Sequence, residues 1–249
     1  MATNVAGTPS APARSRAAIV ACYLGLLAVL FLVVAGPGYR MHLWGLAALL
    51  LVPVAFLFGL IAVVIALAAI RKTSQIPGRG LAVTGLLAGL LALGISGANI
   101  FRAMKNPIHD VSTDTNDPPQ FSAVLASRGT GPIVNPTTWD QKTAEIQSKI
   151  YPDIQPLDLN VPPQQAFDRA LATARGMGWT IDSSDPATGH IEATATTFWY
   201  GFKDDVAIRV VAHGSGSRVD VRSESRIGQG DVGANAKRVR AFLDKLKTS

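Results

Sequence analysis

The first 105 residues contain no aspartate and no glutamate, although the 249-residue chain carries 17 acidic side chains. Cysteine is nearly absent too: Cys22 is alone, which excludes an intramolecular disulfide and any cysteine-based metal cluster. Three long stretches, residues 17–39, 43–70 and 81–101, have no Asp, Glu, Lys or Arg at all. Ion pathways and proton relays are built from ionisable groups inside the membrane, so a pump or transporter is a poor reading. The G-x-S-x-G elbow and other nucleophile signatures are missing as well, and nucleophilic catalysis has no visible starting point.

What the chain has is apolar residues, 48% of the total, concentrated in its first hundred positions. The formal charge of +6 and pI near 9.7 would normally suggest nucleic acid as a partner. Residues 1–105 hold eight of the 23 basic residues. The remaining 15 face all 17 acids, so residues 106–249 have a net charge of −2. The basicity therefore belongs to the flanks of the apolar runs, and nucleic acid is excluded as a partner.

At 1.5 Å of rise per residue, about 20 residues cross a hydrocarbon core of about 30 Å, so each run is long enough to span. A cleaved signal peptide is the weaker reading of the first run, because its apolar core exceeds the usual length of about 7–15 residues and two further runs follow. Cytoplasmic loops retain Lys and Arg. Arg14 and Arg16 precede the first span, and Arg71, Lys72 and Arg79 lie between the second and third, whereas the first loop has only Arg40. This pattern predicts a cytoplasmic tail over 1–16, a transmembrane region over 17–102 with spans at about 17–36, 43–70 and 81–101, and everything beyond on the non-cytoplasmic side of the plasma membrane. Pro53 is expected to be tolerated within the second span. Gly85 and Gly89 have the spacing that lets helices approach closely, either within the chain or to a second copy of it.

Residues 106–133 are rich in Pro, Asp, Ser, Thr and Gly and read as an extended connector, which we bound at 103–137. A short helix is expected over 138–150. The next helix begins after Asn160-Val161-Pro162-Pro163, where proline suits the first turn, and ends at Gly176 to Gly178. Phe167, Ala170, Leu171, Ala174 and Met177 give it one apolar face. Strands follow over 179–184, 190–197, 206–211 and 218–226, each with period-two patterning and short turns between them. In the last, Val219, Val221, Ser223 and Ser225 share one face, and Arg218, Asp220, Arg222, Glu224 and Arg226 alternate in sign along the other. A final helix over 232–247, capped by Asp231, has Val239, Phe242, Leu243 and Leu246 as its buried stripe. The expected architecture is α+β: three transmembrane helices, then a two-layer extracytoplasmic domain over 138–249 with a four-stranded antiparallel sheet and two helices.

Three stretches carry a family resemblance. Phe198-Trp199-Tyr200-Gly201-Phe202-Lys203-Asp204-Asp205-Val206, then the run from Val219 to Gly228, then the run from Asp231 to Val239, together resemble the bacterial family catalogued as domain of unknown function 1499. Ile108 to Asp114 and Tyr151-Pro152-Asp153 look like its upstream elements, so the resemblance covers roughly residues 106–246. It implies a small extracytoplasmic or membrane-anchored domain and no established activity.

Candidate site residues follow from chemistry. Asp204 and Asp205 could serve acid-base work, but adjacent strand residues point to opposite faces, so pairing with Lys203, Arg209 or Arg222 is the expectation. Arg222 and Arg226 could bind an anion, although Asp220 and Glu224 separate them on one face and favour mutual pairing. Ser223 and Ser225 could border a pocket. Trp199 lies in an aromatic cluster suited to a contact surface, and Lys237 and Arg238 belong to a basic helix that could touch anionic lipid or an acidic polymer. His109, His190 and His213 are separated and none neighbours a cysteine, so no metal is expected, and no cofactor is implied. His109 with Asp110, Asp114 and Asp117 could hold a cation, although a solvated connector explains them as well. The functional expectation is a membrane-anchored, non-enzymatic envelope module whose partners are the lipid bilayer, an envelope protein, lipid or glycan ligand, and a second copy through Gly85 and Gly89. The alternatives are an envelope hydrolase using the carboxylates and serines of the sheet, or a subunit of a membrane complex.

Overall fold

A computed structural model describes residues 15–72 and 77–248. The tail up to Arg14 and loop residues 73–76 lie outside the described residues, so the expectations placed on them stay with the sequence. The chain divides into two compact units, Met1–Ile100 and Phe101–Ser249.

In the first unit α1 (Arg16–Arg40), α2 (Leu51–Lys72) and α3 (Arg79–Lys105) are each long and apolar enough to cross a membrane. The second apolar run differs from the expectation at its start, where Gly45–Leu50 forms a 3-10 turn before α2. Pro53 falls in the first turn of α2, directly after the 3-10 turn, a position where proline is well tolerated. The packing is inverted relative to a soluble bundle. Buried positions are small, such as Ala21, Gly25 and Ala28 of α1, Gly59 and Ala62 of α2, and Gly85, Gly89 and Ala92 of α3. Large aliphatics such as Leu30, Leu60, Val64, Leu87 and Leu90 face outward. Small side chains let backbones approach in lipid, where burying leucine brings no advantage. A Cβ on Gly85 would lie 2.5 Å from the backbone carbon of Ala21, and one on Gly89 would lie 2.9 Å from the carbonyl oxygen of Gly59. The two glycines are therefore taken up by α1 and α2 of the same chain.

The second unit is built on one antiparallel sheet of six strands, where four were expected. Its strands are β1 (Asp110–Ser112), β2 (Leu157–Leu159), β3 (Thr180–Asp185), β4 (His190–Thr196), β5 (Lys203–His213) and β6 (Gly216–Ser225). The order is β1-β6-β5-β4-β3, with β2 pairing further along the outer edge of β6. The two additional strands have three residues each, too short to show any period, and they divide the free edge of the ten-residue β6 between them. Three helices accompany the sheet: α4 (Gln141–Ile150), α5 (Pro163–Gly176) and α6 (Ala234–Thr248). Helices α5 and α6 bury Phe167, Ala170, Ala174, Val239, Phe242 and Leu246 against Ile191, Val206, Ile208, Val219 and Val221. Trp179 stacks on Phe242 with ring centroids 5.4 Å apart. Helix α4 borders β1 through Gln147, whose amide accepts from the Ser112 N–H at 2.9 Å and donates to the Ser112 carbonyl at 2.6 Å, imitating a strand neighbour.

The stretch expected as an extended connector is instead folded onto the sheet. It supplies β1, a 3-10 turn at Ala123–Ser127, and a bridge from Val134 to Ile227. Its prolines and aspartates suit an irregular strap that follows the sheet surface by side-chain pairing, a geometry that composition alone does not distinguish from a tether.

Candidate functional site

Strand alternation sorts the candidate residues. Asp204, Ser223 and Ser225 face the helices, whereas Asp205, Arg209, Arg222 and Arg226 face the strap, together with Glu192, Asp220 and Glu224. Beyond the half-buried Arg218, the charged face of β6 and its continuation is therefore buried: Asp220, Arg222, Glu224 and Arg226 all lie under cover.

The strap brings its own charges. Asp110 accepts from Arg222 Nη2 at 2.7 Å, and the guanidinium lies over the rings of Phe121 and Trp139, at 4.7 and 5.3 Å from their centroids. Arg222 also donates to the Thr137 carbonyl at 2.8 Å. Arg128 reaches down to Asp205 and, at 2.6 Å, to Glu224. Arg226 pairs with Asp205 at 2.7 Å and donates to the Ser127 carbonyl at 2.8 Å. Further along, Arg209 meets Asp114 at 3.2 Å, Asp117 at 2.8 Å and Asp220 at 3.0 Å, while Arg218 meets Asp114 and Asp220. The pairs on the ladder are thus mostly with the strap, and only Arg218–Asp220 and a 3.8 Å Arg222–Glu224 approach join ladder members to each other.

Glu192 anchors the turn of the strap. Its carboxylate accepts the backbone N–H groups of Ser122, Ala123 and Val124 at 2.9 to 3.1 Å, along with the Ser122 hydroxyl. Burial pushes this carboxyl up, but bonds from His190, Ser122 and the two backbone amides outweigh it and hold the group well below the usual range. Glu224 behaves oppositely. Burial first, then the charge of Asp110, pushes it up to about 8, because its Oε2 has no hydrogen-bond partner and its cations are shared with Asp110 and Asp205.

On the helix side Asp204 pairs with Arg238 at 2.5 Å. Arg238 also donates to Ser223 at 2.9 Å, Ser223 donates to Asn235 at 2.7 Å, and Asn235 donates to Ser225 at 2.9 Å. The two serines are satisfied core hydroxyls. Burial pushes Asp204 up against the pull of Arg238. Asp204 and Asp205 are therefore separated by the sheet, and neither pairs with Lys203, Arg209 or Arg222 as expected.

Of the remaining candidates, Lys237 is exposed on α6 and Trp199 sits on the loop between β4 and β5. An open depression of about 370 Å³ over the strap is lined by Leu125, Arg128, Val134 and Asn135, but Arg128 spends both terminal nitrogens on Asp205, Glu224 and the Asn135 carbonyl. Among the described residues no group of His, Cys, Asp and Glu is placed to hold a metal ion.

Sequence reasoning missed Arg128, Asn135, Glu192 and Asn235. It also missed that Gly228, Gly230 and Gly233 have G-x-G-x-x-G spacing between a strand and a helix. The context is wrong for a dinucleotide, since the sheet is antiparallel and Asp231 occupies the helix N-terminus, accepting from the N–H groups of Gly233 at 2.8 Å and Asn235 at 2.5 Å.

Comparison with known proteins adds a family. The model of the family described as "Protein of unknown function (DUF1499)" matches residues 110–246. No curated protein matches the chain. A solved structure titled "Crystal structure of Ara h 8.0201" aligns at 16% identity with a TM-score of 0.29, covering 38% of this chain and 96% of that one, a similarity too low to carry any argument.

Proposed function

This chain belongs to the DUF1499 family, whose description names no activity, and from that premise we propose that it is a membrane-anchored, non-enzymatic interaction module of the cell envelope. The observation that carries this reading is that the charged candidates Asp204, Asp205, Arg209, Arg222 and Arg226 of the sheet and Arg238 of α6 are all closed in ion pairs within the domain. A hydrolase needs a nucleophile or base with an open position beside it, and these groups are spent on holding the strap and α6. Three spans bring the chain to the plasma membrane, and the unequal Lys and Arg content of the loops favours a cytoplasmic N-terminus and a periplasmic or otherwise extracytoplasmic domain. The subunit reading through Gly85 and Gly89 gains no support, because both glycines already pack within the chain.

The test is binding and turnover on the full chain in nanodiscs. Saturable binding of an envelope lipid, glycan or protein, with no turnover of ester, phosphate or glycosidic substrates, is the expected result. Turnover that disappears in Asp204→Asn or Asp205→Asn while the domain stays folded would replace the binding reading with the enzymatic one.

A further inference from the structure

The most exposed large apolar side chain described is not on a span but in the domain: Phe198 is 89% exposed, beside Trp199 at 44%. Both lie on the loop joining β4 to β5, and that loop is closed by hydrogen bonds. The Thr197 N–H donates to the Phe202 carbonyl at 2.8 Å, the Phe202 N–H donates to the Thr197 hydroxyl at 2.8 Å, and the Gly201 N–H donates to the Thr197 carbonyl at 3.0 Å. Tyr200 and Phe202 stack with centroids 5.1 Å apart. Neighbouring exposed aromatics on a closed loop form an apolar patch of the kind that marks an interaction surface.

The strand register says what is nearby. Asp110 pairs with Glu224, Glu224 with Asp205, and Asp205 with Thr194, so one row crosses β1, β6, β5 and β4. The next row outward is His109, Ser225, Asp204 and Ala195, and beyond it lies the aromatic loop. The chain arriving from α3 thus enters the sheet at the end from which Phe198 and Trp199 project. Strand spacing of about 4.8 Å puts the base of the loop within about 10–15 Å of that entry point. Only four residues separate Lys105, the last of α3, from Asp110. Ile133, 56% exposed beside the Val134–Ile227 bridge, and Val232, 44% exposed after β6, crown the same end. Lys203 is exposed next to the loop. The opposite end carries the polar turns Asp185-Pro186-Ala187-Thr188-Gly189 and Gly214-Ser215.

We propose that this end of the domain, led by Phe198 and Trp199, seats in the headgroup region of the bilayer that α1 to α3 cross. Aromatic rings and lysine are the side chains that favour that boundary, and a short tether at the same end keeps it within reach. The inference rests on the membrane-anchored reading above and names the lipid interface as the partner of the aromatic loop.

The experiment is site-directed spin labelling of the full chain, in a Cys22→Ala background, reconstituted in vesicles of phosphatidylethanolamine and phosphatidylglycerol. Labels are placed by Phe198→Cys, by Ser215→Cys at the polar end, and by Leu90→Cys on the outward face of α3. Relaxation by oxygen, which concentrates in lipid, is compared with relaxation by a water-soluble nickel complex. The label at 198 is expected to show an oxygen-to-nickel ratio severalfold above that at 215. A ratio equal to that at 215 overturns the proposal, and so does shielding from both relaxants, which would mean that protein covers the loop. If the label at 90 is itself open to nickel, the anchoring reading fails instead.

Discussion

Replacing Glu224 with glutamine should make the domain progressively more stable than the wild type as pH rises from about 4.5 to about 8. Glu224 is fully buried, accepts one bond from Arg128 at 2.6 Å, and has its other oxygen 3.8 Å from an Arg222 already committed to Asp110. Its proton is therefore held up to about pH 8, against 4.5 for the free group. Below the lower value folded and unfolded chains both keep the proton, and Glu224 contributes no pH dependence. Between the two values the unfolded chain releases a proton that the folded chain retains, so rising pH favours unfolding by about 1.4 kcal/mol per unit, approaching ~5 kcal/mol near pH 8. A glutamine oxygen accepts the same bond from Arg128 and has no proton to lose, so the variant escapes this slope. The assay is denaturant unfolding of the detergent-solubilised full chain from pH 4.5 to 8.5. It follows the fluorescence of Trp139, Trp179 and Trp199 in a Trp44→Phe background for both forms. A stability gap that stays constant with pH, or one that moves in favour of the wild type as pH rises, would refute the reasoning.

Arg128→Met should cost about 3–5 kcal/mol, because in a buried site it takes one of two cations from Asp205 and leaves the Glu224 carboxyl without its hydrogen-bond donor. Hydrogen exchange should show the amides of Ser122, Ala123 and Val124 losing protection as the strap lifts, whereas unchanged protection would mean that Glu192 alone holds it. Gly85→Ala should destabilise the helical bundle, since the added methyl meets the Ala21 backbone at 2.5 Å. A lowered melting temperature in detergent, without loss of membrane insertion, is the expected result, and an unchanged one would mean that α1 and α3 do not pack there.

The three apolar helices were legible because they depend on a local property: a run of uncharged residues long enough to cross a hydrocarbon core shows in the composition whatever its neighbours do. The four long strands and the α5 and α6 helices were legible for a related reason, since Val219, Val221, Phe242 and Leu246 declare a buried face through their period alone. The sequence could not show which face the charged ladder of β6 presents, because alternating Arg and Asp reads the same whether water or a strap covers it. That was decided by contacts across 77 to 112 positions, such as Arg128 with Asp205 and Asp110 with Arg222. Ion pairs of this separation leave no periodic trace, so the strap was read as a tether and Arg128 was not found. Likewise the spacing of Gly85 and Gly89 showed close helix approach, but only the packed helices determined that the neighbour is Ala21 and Gly59 of the same chain. Composition and period determined which segments form long apolar helices and which faces enter a core. The three-dimensional pairing of distant charges decided that the polar face of the sheet is closed by the strap, because such pairs form only when residues far apart in the chain are brought together.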